Sequence, residues 1–298
     1  MTSILAPTGR RRVLVIFNPV AGPRRARRLH AVVALLKAAG CTVLLRETAA
    51  RGDAERFAAE ATMAEHDVVL AAGGDGTLNE VANGLGPDAP LLAVCPLGTA
   101  NVVAAEVGLA IDPAAIAATV LHGKVFSLAP GLANGRRFLM MAGVGFDAHV
   151  VAGIRPAIKR RLGKGAYVLE TLRQLWRFNF PGYRLTIDGV AYQCASAIIA
   201  KGHFYAGRFI CAPDARLDDP RFQICVFRWN GPLAVVYYAL AMGMGLVPRA
   251  PGVTLVWGSS VEVTSLDGDP VQGDGDTVAV LPLTASVAPA RLRVLVPA

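Results

Sequence analysis

The chain has 298 residues, 53% hydrophobic and 17% charged, which is enough for one large domain or two ordinary ones with full cores. Its formal net charge of +8 favours anionic partners: nucleic acid, anionic lipid surfaces or nucleotides. The five cysteines (Cys41, Cys95, Cys194, Cys211 and Cys225) are scattered without a Cys-x-x-Cys pair and mostly read as reduced core residues of a cytosolic protein, and the five histidines show no metal-ligand spacing.

In chain order, the N-terminal arginines follow a very short apolar segment, so no signal peptide is expected and the location predicted is cytoplasmic. Arg10, Arg11, Arg12, Arg24, Arg25, Arg27 and Arg28 form an early basic cluster. Residues 13–17 predict a buried strand, Asn18-Pro19-Val20-Ala21-Gly22 a turn, and a helix runs on to about Ala39, with Gly40 as its stop. A strand at 42–45, a helix from about 53 to 65, a strand at 68–71, a strand at 91–95 ended by Pro96, and helices from about 100 and over 113–121 follow. This alternation predicts an α/β domain with a parallel, Rossmann-like sheet.

Beyond it the texture turns β-rich. Residues 184–188 and 190–200 predict strands about Asp188-Gly189, a hairpin signal, with further strands at 223–227, 254–257, 261–264 and 278–281. A sandwich with one helical insertion at 164–176 accounts for these. The strand at 291–296 is expected to return to the first domain, giving domains of 1–127 plus about 284–298, and 128–283. The uncharged run between Arg228 and Arg249 predicts a helix over about 233–247, shorter than the roughly 20 residues that span a bilayer, and is read first as buried.

The chemistry concentrates in Gly73-Gly74-Asp75-Gly76-Thr77-Leu78-Asn79-Glu80, placed between a buried strand and a helix. Strand, glycine turn and helix N-terminus form a phosphate cradle, because glycines let backbone N–H groups approach phosphate oxygens. Thr77 and Glu80 have capping-box spacing, which predicts a helix starting at Thr77. A carboxylate among phosphates calls for a cation, so Asp75 is read as holding the Mg²⁺ of a nucleotide, directly or through water. Ligands of open α/β sheets bind beyond the strand C-termini, where this chain carries Asn18 to Gly22, Thr48, Gly73 to Thr77 and Pro96 to Asn101.

Together with Asn18-Pro19-Val20-Ala21-Gly22, Glu47-Thr48, Pro96-Leu97-Gly98-Thr99-Ala100-Asn101, Gly143-Val144-Gly145-Phe146-Asp147-Ala148, Pro213-Asp214-Ala215 and Asp274-Gly275-Asp276, this loop resembles the diacylglycerol kinase and sphingosine kinase catalytic family, nearest its soluble bacterial lipid-kinase branch. The resemblance implies a two-domain kinase with ATP in the cleft between an α/β domain and a lipid-binding sandwich. It implies nucleotide contacts at Asn18, Pro19, Gly22, Thr48, Gly73, Gly74, Asp75, Gly76, Thr77, Asn79, Glu80, Gly98, Thr99 and Asn101. Family members carry Asp-Gly-Glu late in the chain, where the second carboxylate deprotonates the lipid hydroxyl. Here two Asp-Gly-Asp copies occur, 267–269 and 274–276. The second follows Val271-Gln272, so the base falls on Asp276, one methylene shorter. The family's structural Mg²⁺ site maps to the Asp219 side chain with the carbonyls of Arg216 and Arg221, although Pro220 stands where the family has glycine.

The function implied is ATP- and Mg²⁺-dependent phosphorylation of a lipid hydroxyl, diacylglycerol or a related lipid. The alternatives are a sphingoid base or non-lipid acceptor, or a nucleotide-binding regulator without turnover. The partner expected is a lipid substrate at a membrane, bound peripherally with anionic lipid favoured; self-association as a homodimer is left open. The basic stretch 155–164, beside Leu162, Tyr167, Leu172 and Trp176, fits docking on anionic headgroups. No nucleic-acid partner is expected, since neither a helix-turn-helix nor an aromatic RNA-binding signature occurs.

Overall fold

The computed structural model describes residues 11–21, 23–154, 164–264 and 268–298. Gly22, the basic residues 155–161 and Asp267 of the first Asp-Gly-Asp lie outside the described residues. The chain divides into two units, Met1–Ala129 with Pro289–Ala298, and Pro130–Ala288.

The first unit is built on apolar strands buried on both faces. These are β1 (Arg12–Phe17), β3 (Val68–Gly73) and β4 (Leu91–Pro96), with β2 (Thr42–Glu47) at one edge. Parallel strands covered by helices are expected to be apolar along their whole length, and Val13, Ile16, Val69 and Leu70 are fully enclosed. The intervening helices are α1 (Pro23–Ala38), α2 (Asp53–Ala59), α3 (Asp75–Gly84), α4 (Val102–Glu106) and α5 (Pro113–His122). Gly40 ends the α1 segment at φ 86°, the left-handed conformation a helix stop requires. α1 packs on α5 and α2 on α3, as in a doubly wound sheet. The sheet order is β2-β1-β3-β4-β20-β5, where β5 is Lys124–Leu128 and β20 is Leu292–Val296. β20 lies parallel to β4 and antiparallel to β5, so the last strand of the chain completes the interior of the first sheet.

The second unit stacks two antiparallel sheets. One contains β6 (Gly131–Ala133), β7 (Arg136–Phe138), β9 (Tyr183–Ile187), β10 (Val190–Cys194), β16 (Ser260–Val263) and β19 (Leu283–Val287), in the order β10-β9-β16-β19-β6-β7. The other contains β8 (Met141–Gly145), β11 (Ser196–Ala200), β14 (Phe222–Phe227), β15 (Val253–Gly258), β17 (Pro270–Gly273) and β18 (Asp276–Val280), in the order β15-β14-β11-β8-β17-β18. A small hairpin pairs β12 (Phe204–Tyr205) with β13 (Phe209–Ile210). Residues from both large sheets, among them Phe138, Tyr183, Ile199, Phe222, Val261 and Leu283, share one core. Helices α6 (Phe146–Gly153), α7 (Lys164–Arg177) and α8 (Pro232–Gly243) complete the unit.

Two sequence expectations are corrected here. The strand read at 190–200 is two strands in different sheets, since the chain crosses at Ala195 after β10. The helix read as buried is buried on one side only. Ala234, Tyr238 and Ala241 face the core, while Leu233, Val236 and Leu240 are exposed. Among the described residues no helix is long and apolar enough to cross a membrane.

Candidate functional site

Strand order reverses between β1 and β3, and the loops leaving these strands flank the reversal. Such a switch point opens a crevice at the strand C-termini of a doubly wound sheet. After β1, Asn18 donates its backbone N–H to Ala72 O at 3.0 Å. Its side-chain oxygen accepts from Val20 N at 3.0 Å, closing a tight turn over Pro19, and its amide nitrogen donates to the Thr77 hydroxyl at 3.1 Å. The Asn18 side chain therefore ties the first loop to the glycine loop.

The glycines are demanded by space. A Cβ on Gly73 would lie 2.4 Å from the Thr77 hydroxyl oxygen, and one on Gly98 would lie 2.5 Å from Gly74 Cα and 2.7 Å from Asn101 Oδ1. The loops after β3 and β4 thus cross backbone to backbone. Asn101 locks the crossing: its Oδ1 accepts from Gly98 N at 2.7 Å and its Nδ2 donates to Gly98 O at 3.0 Å. Asp75 closes it from the other side, accepting from Asn101 N at 2.9 Å and Val102 N at 2.7 Å. The carboxylate of Asp75 therefore caps the N-terminus of α4 across the two loops.

The capping box is not formed. Helix α3 starts at Asp75 after Gly74, two residues before the expected Thr77. Thr77 is committed to Asn18, and the Glu80 carboxylate accepts instead from Gly52 N at 3.1 Å. Asn79 is buried and accepts from the Asn83 amide one turn on, through both its backbone and side-chain oxygens. The structure therefore brings Asn18, Gly73 to Thr77, Gly98 and Asn101 into one hydrogen-bonded cluster, and gives Asn79 and Glu80 helix-packing tasks. Thr48 follows β2, is buried, and donates its N–H to Phe17 O at 2.9 Å; Thr99 is exposed. In the sequence Arg28 is one member of a basic run with no marked role. Its guanidinium donates to Pro96 O at 3.3 Å, which sets a cation beside the β4 loop.

In the second unit, Asp274 and Gly275 form the two-residue turn of the β17–β18 hairpin, with φ of 52° and 85°. Paired positive φ angles are those of a type I′ turn, for which Asp-Gly is suited. The turn is fastened down. The Asp274 carboxylate accepts from Leu139 N at 2.7 Å, Met140 N at 2.8 Å and Met141 N at 3.1 Å. Gly275 N donates to Gln272 Oε1 at 3.1 Å, and Gln272 Nε2 donates to Asp147 Oδ2 at 3.1 Å. Gly143 leaves room for that pair, since a Cβ there would sit 2.3 Å from Asp147 Oδ2. Asp276, partly buried, opens β18 directly after this braced turn. Asp147 went unassigned in the sequence; its Oδ1 is enclosed without a hydrogen-bond partner, and burial pushes its carboxyl up to about 7.

The segment 216–221 carries the three ligands expected for a structural metal, and each has another partner. Arg216 O accepts from Asp219 N at 3.1 Å. Asp219 Oδ1 accepts from Arg221 N at 2.8 Å and Nε at 3.1 Å, and its Oδ2 accepts from Nη2 at 3.3 Å. Arg221 O accepts from the Lys201 ammonium at 3.2 Å. Among the described residues no group of three or more His, Cys, Asp or Glu side chains is placed to hold a metal. All five cysteines are buried and free, and burial pushes Cys95 and Cys194 up to about 12, so neither is a ready nucleophile.

Residues 12–131 match the diacylglycerol kinase catalytic domain, and residues 140–296 match the YegS C-terminal NAD kinase beta sandwich-like domain. A Pseudomonas aeruginosa protein named "probable lipid kinase YegS-like" is 32% identical over 96% of this chain and 94% of its own length. A diacylglycerol kinase of Bacillus subtilis is 31% identical over 73% of this chain and 74% of its own. The crystal structure of a diacylglycerol kinase from Bacillus anthracis superposes with a TM-score of 0.77 at 25% identity, covering 97% of this chain and 98% of that one. With its two units matched in order along the sequence, the chain belongs to the diacylglycerol kinase catalytic family, in the branch of the YegS-like lipid kinases.

Proposed function

We propose that this kinase transfers the γ-phosphoryl group of ATP to the hydroxyl of diacylglycerol or a closely related lipid. The observation that carries the reading is the crossing of the Gly74 and Gly98 backbones at the strand C-termini beside the reversal of strand order, the place where a doubly wound sheet receives a phosphate. When bound with the nucleotide, Mg²⁺ would offset the negative charge of the transferred group. Both oxygens of Asp75 already accept an amide, so this side chain suits a water-mediated hold on that ion rather than direct ligation. Arg28 adds a fixed cation near the same loop. Asp276 takes the proton of the attacking hydroxyl. The turn before it is held by three amides on Asp274, and that rigidity supports its role as a base of defined position.

The acceptor reading is supported by the outer face of α8. Leu233 is 86% exposed and Met244, just past the helix, 65%; Val236 and Leu240 lie between them, and the face carries no charged residue. Exposed Arg228 and Arg249 flank it at either end, which suits anionic headgroups around an apolar contact. Twelve residues rise about 18 Å, well short of a roughly 30 Å hydrocarbon core, so the helix would lie in the interface.

Transfer from labelled ATP with Mg²⁺ to diacylglycerol, sphingoid bases, ceramide and phosphatidylglycerol in mixed micelles tests the proposal, with Asp276→Asn and Asp276→Glu alongside. Labelled lipid that vanishes with Asp276→Asn and persists with Asp276→Glu is the expected result. ATP binding with no labelled lipid across the panel would move the reading to a non-lipid acceptor or a nucleotide-binding regulator.

A further inference from the structure

Lys201 follows β11 directly, and its backbone N–H donates to Met140 O at 2.8 Å. The residue is wholly enclosed. A buried ammonium is strongly unfavourable unless oxygen dipoles or charges surround it. Its Nζ donates to Asp219 O and to Arg221 O, and it lies 5.8 Å from the centre of the Phe222 ring. Two carbonyls of one short loop thus converge on one positive centre, as they do around a bound metal ion. Pro220 restrains the turn between the two carbonyls.

We propose that the Lys201 ammonium is the resident cation of the loop 216–221 and replaces a divalent metal there. Mg²⁺ demands near-octahedral oxygen ligation at about 2.0–2.1 Å, and the oxygens it would need here are engaged by N–H donors. A second cation would also meet the repulsion of an ammonium already in place. A tethered cation cannot be chelated or diluted away, so the loop keeps its shape whatever the free divalent concentration. The need for a divalent ion is then confined to the nucleotide step. This inference concerns the loop alone and does not depend on which acceptor is phosphorylated.

The test uses the full chain without nucleotide. Thermal unfolding of the wild type is followed in EDTA and in millimolar MgCl₂ or CaCl₂, and bound divalent ions are counted after equilibrium dialysis. The wild type is expected to show the same Tm in all three media and no bound ion that Asp219→Asn removes. Lys201→Met is expected to melt lower and to regain Tm with rising Mg²⁺ or Ca²⁺, saturating as one ion binds per chain. A wild-type Tm that falls on chelation, or a wild-type ion lost with Asp219→Asn, would overturn the proposal. So would a folded Lys201→Met that ignores both metals, because the lysine would then be packing rather than a cation surrogate. Should Lys201→Met not fold, the wild-type chelation and ion count decide alone.

Discussion

Replacing Asp147 with asparagine should flatten the decline of stability with pH. One carboxylate oxygen accepts from Gln272 and the other is enclosed without a partner, so burial first and foremost raises the carboxyl from an ordinary 3.8 to about 7. Between those two values the folded chain holds a proton that the unfolded chain has lost, so stability falls as pH rises through the window and levels off above it. The full difference of about 3 pH units corresponds to roughly 4 kcal/mol, and the part between pH 5 and pH 8 to about 2.5 kcal/mol. The titratable neighbours Tyr183 and Tyr205 are raised above their ordinary values, partly by Asp147, and stay protonated over this range. Urea unfolding of wild type and Asp147→Asn at both pH values is the assay. An amide left imperfectly bonded shifts the variant by the same amount at each pH, so the difference between the two profiles isolates the proton. Parallel profiles would refute the reasoning, since Asp147 would then be ionised in contact with solvent or neutral throughout.

Gly98→Ala must push apart two backbones that meet at Gly74, a clash of the kind that costs about 1–3 kcal/mol. ATP affinity measured by calorimetry is expected to fall by about five- to 150-fold if that cost falls on the binding-competent loop, since each 1.4 kcal/mol is a decade; unchanged affinity with unchanged Tm would show that the loops tolerate a wider crossing. Leu233→Asp with Leu240→Asp should leave the fold intact, because both side chains face outward, and should abolish sedimentation with phosphatidylglycerol vesicles. Equal sedimentation of variant and wild type would remove α8 from membrane docking, and a wild-type dimer that the variant loses would make the face an interface between copies.

Much of this architecture is legible because the strands of the first unit are continuous apolar runs cut by glycine and proline. Their order is not legible, since nothing local tells β20 to lie beside β4. The glycine loop was readable from its glycines, which exist for close approach. The partners of Thr77 and Glu80 were not, because Asn18 and Gly52 compete for those side chains from distant segments, and a spacing rule sees only the helix itself. The segment 190–200 looks like one strand, as a crossing between sheets at Ala195 leaves the alternation of side chains almost undisturbed. For α8, composition announces an apolar helix and cannot say that one flank is left exposed among the described residues. Asp274 and Asp276 share a motif and differ in task, and only the amides of Leu139 to Met141, far back in the chain, distinguish anchor from candidate base.

The position of β20 bears on the order of synthesis. When the ribosome has made β1 to β5, the sheet of the first unit still lacks a strand between β4 and β5, and all of Pro130–Ala288 must be translated before that strand is made. Until then the rim of β4 displays unsatisfied backbone donors and acceptors, the template on which strands of other nascent chains aggregate. The sandwich, whose strands form one uninterrupted stretch of sequence, can fold on the ribosome first. The α/β unit is therefore the earlier to be translated and the later to be finished, with the β4 rim open in between.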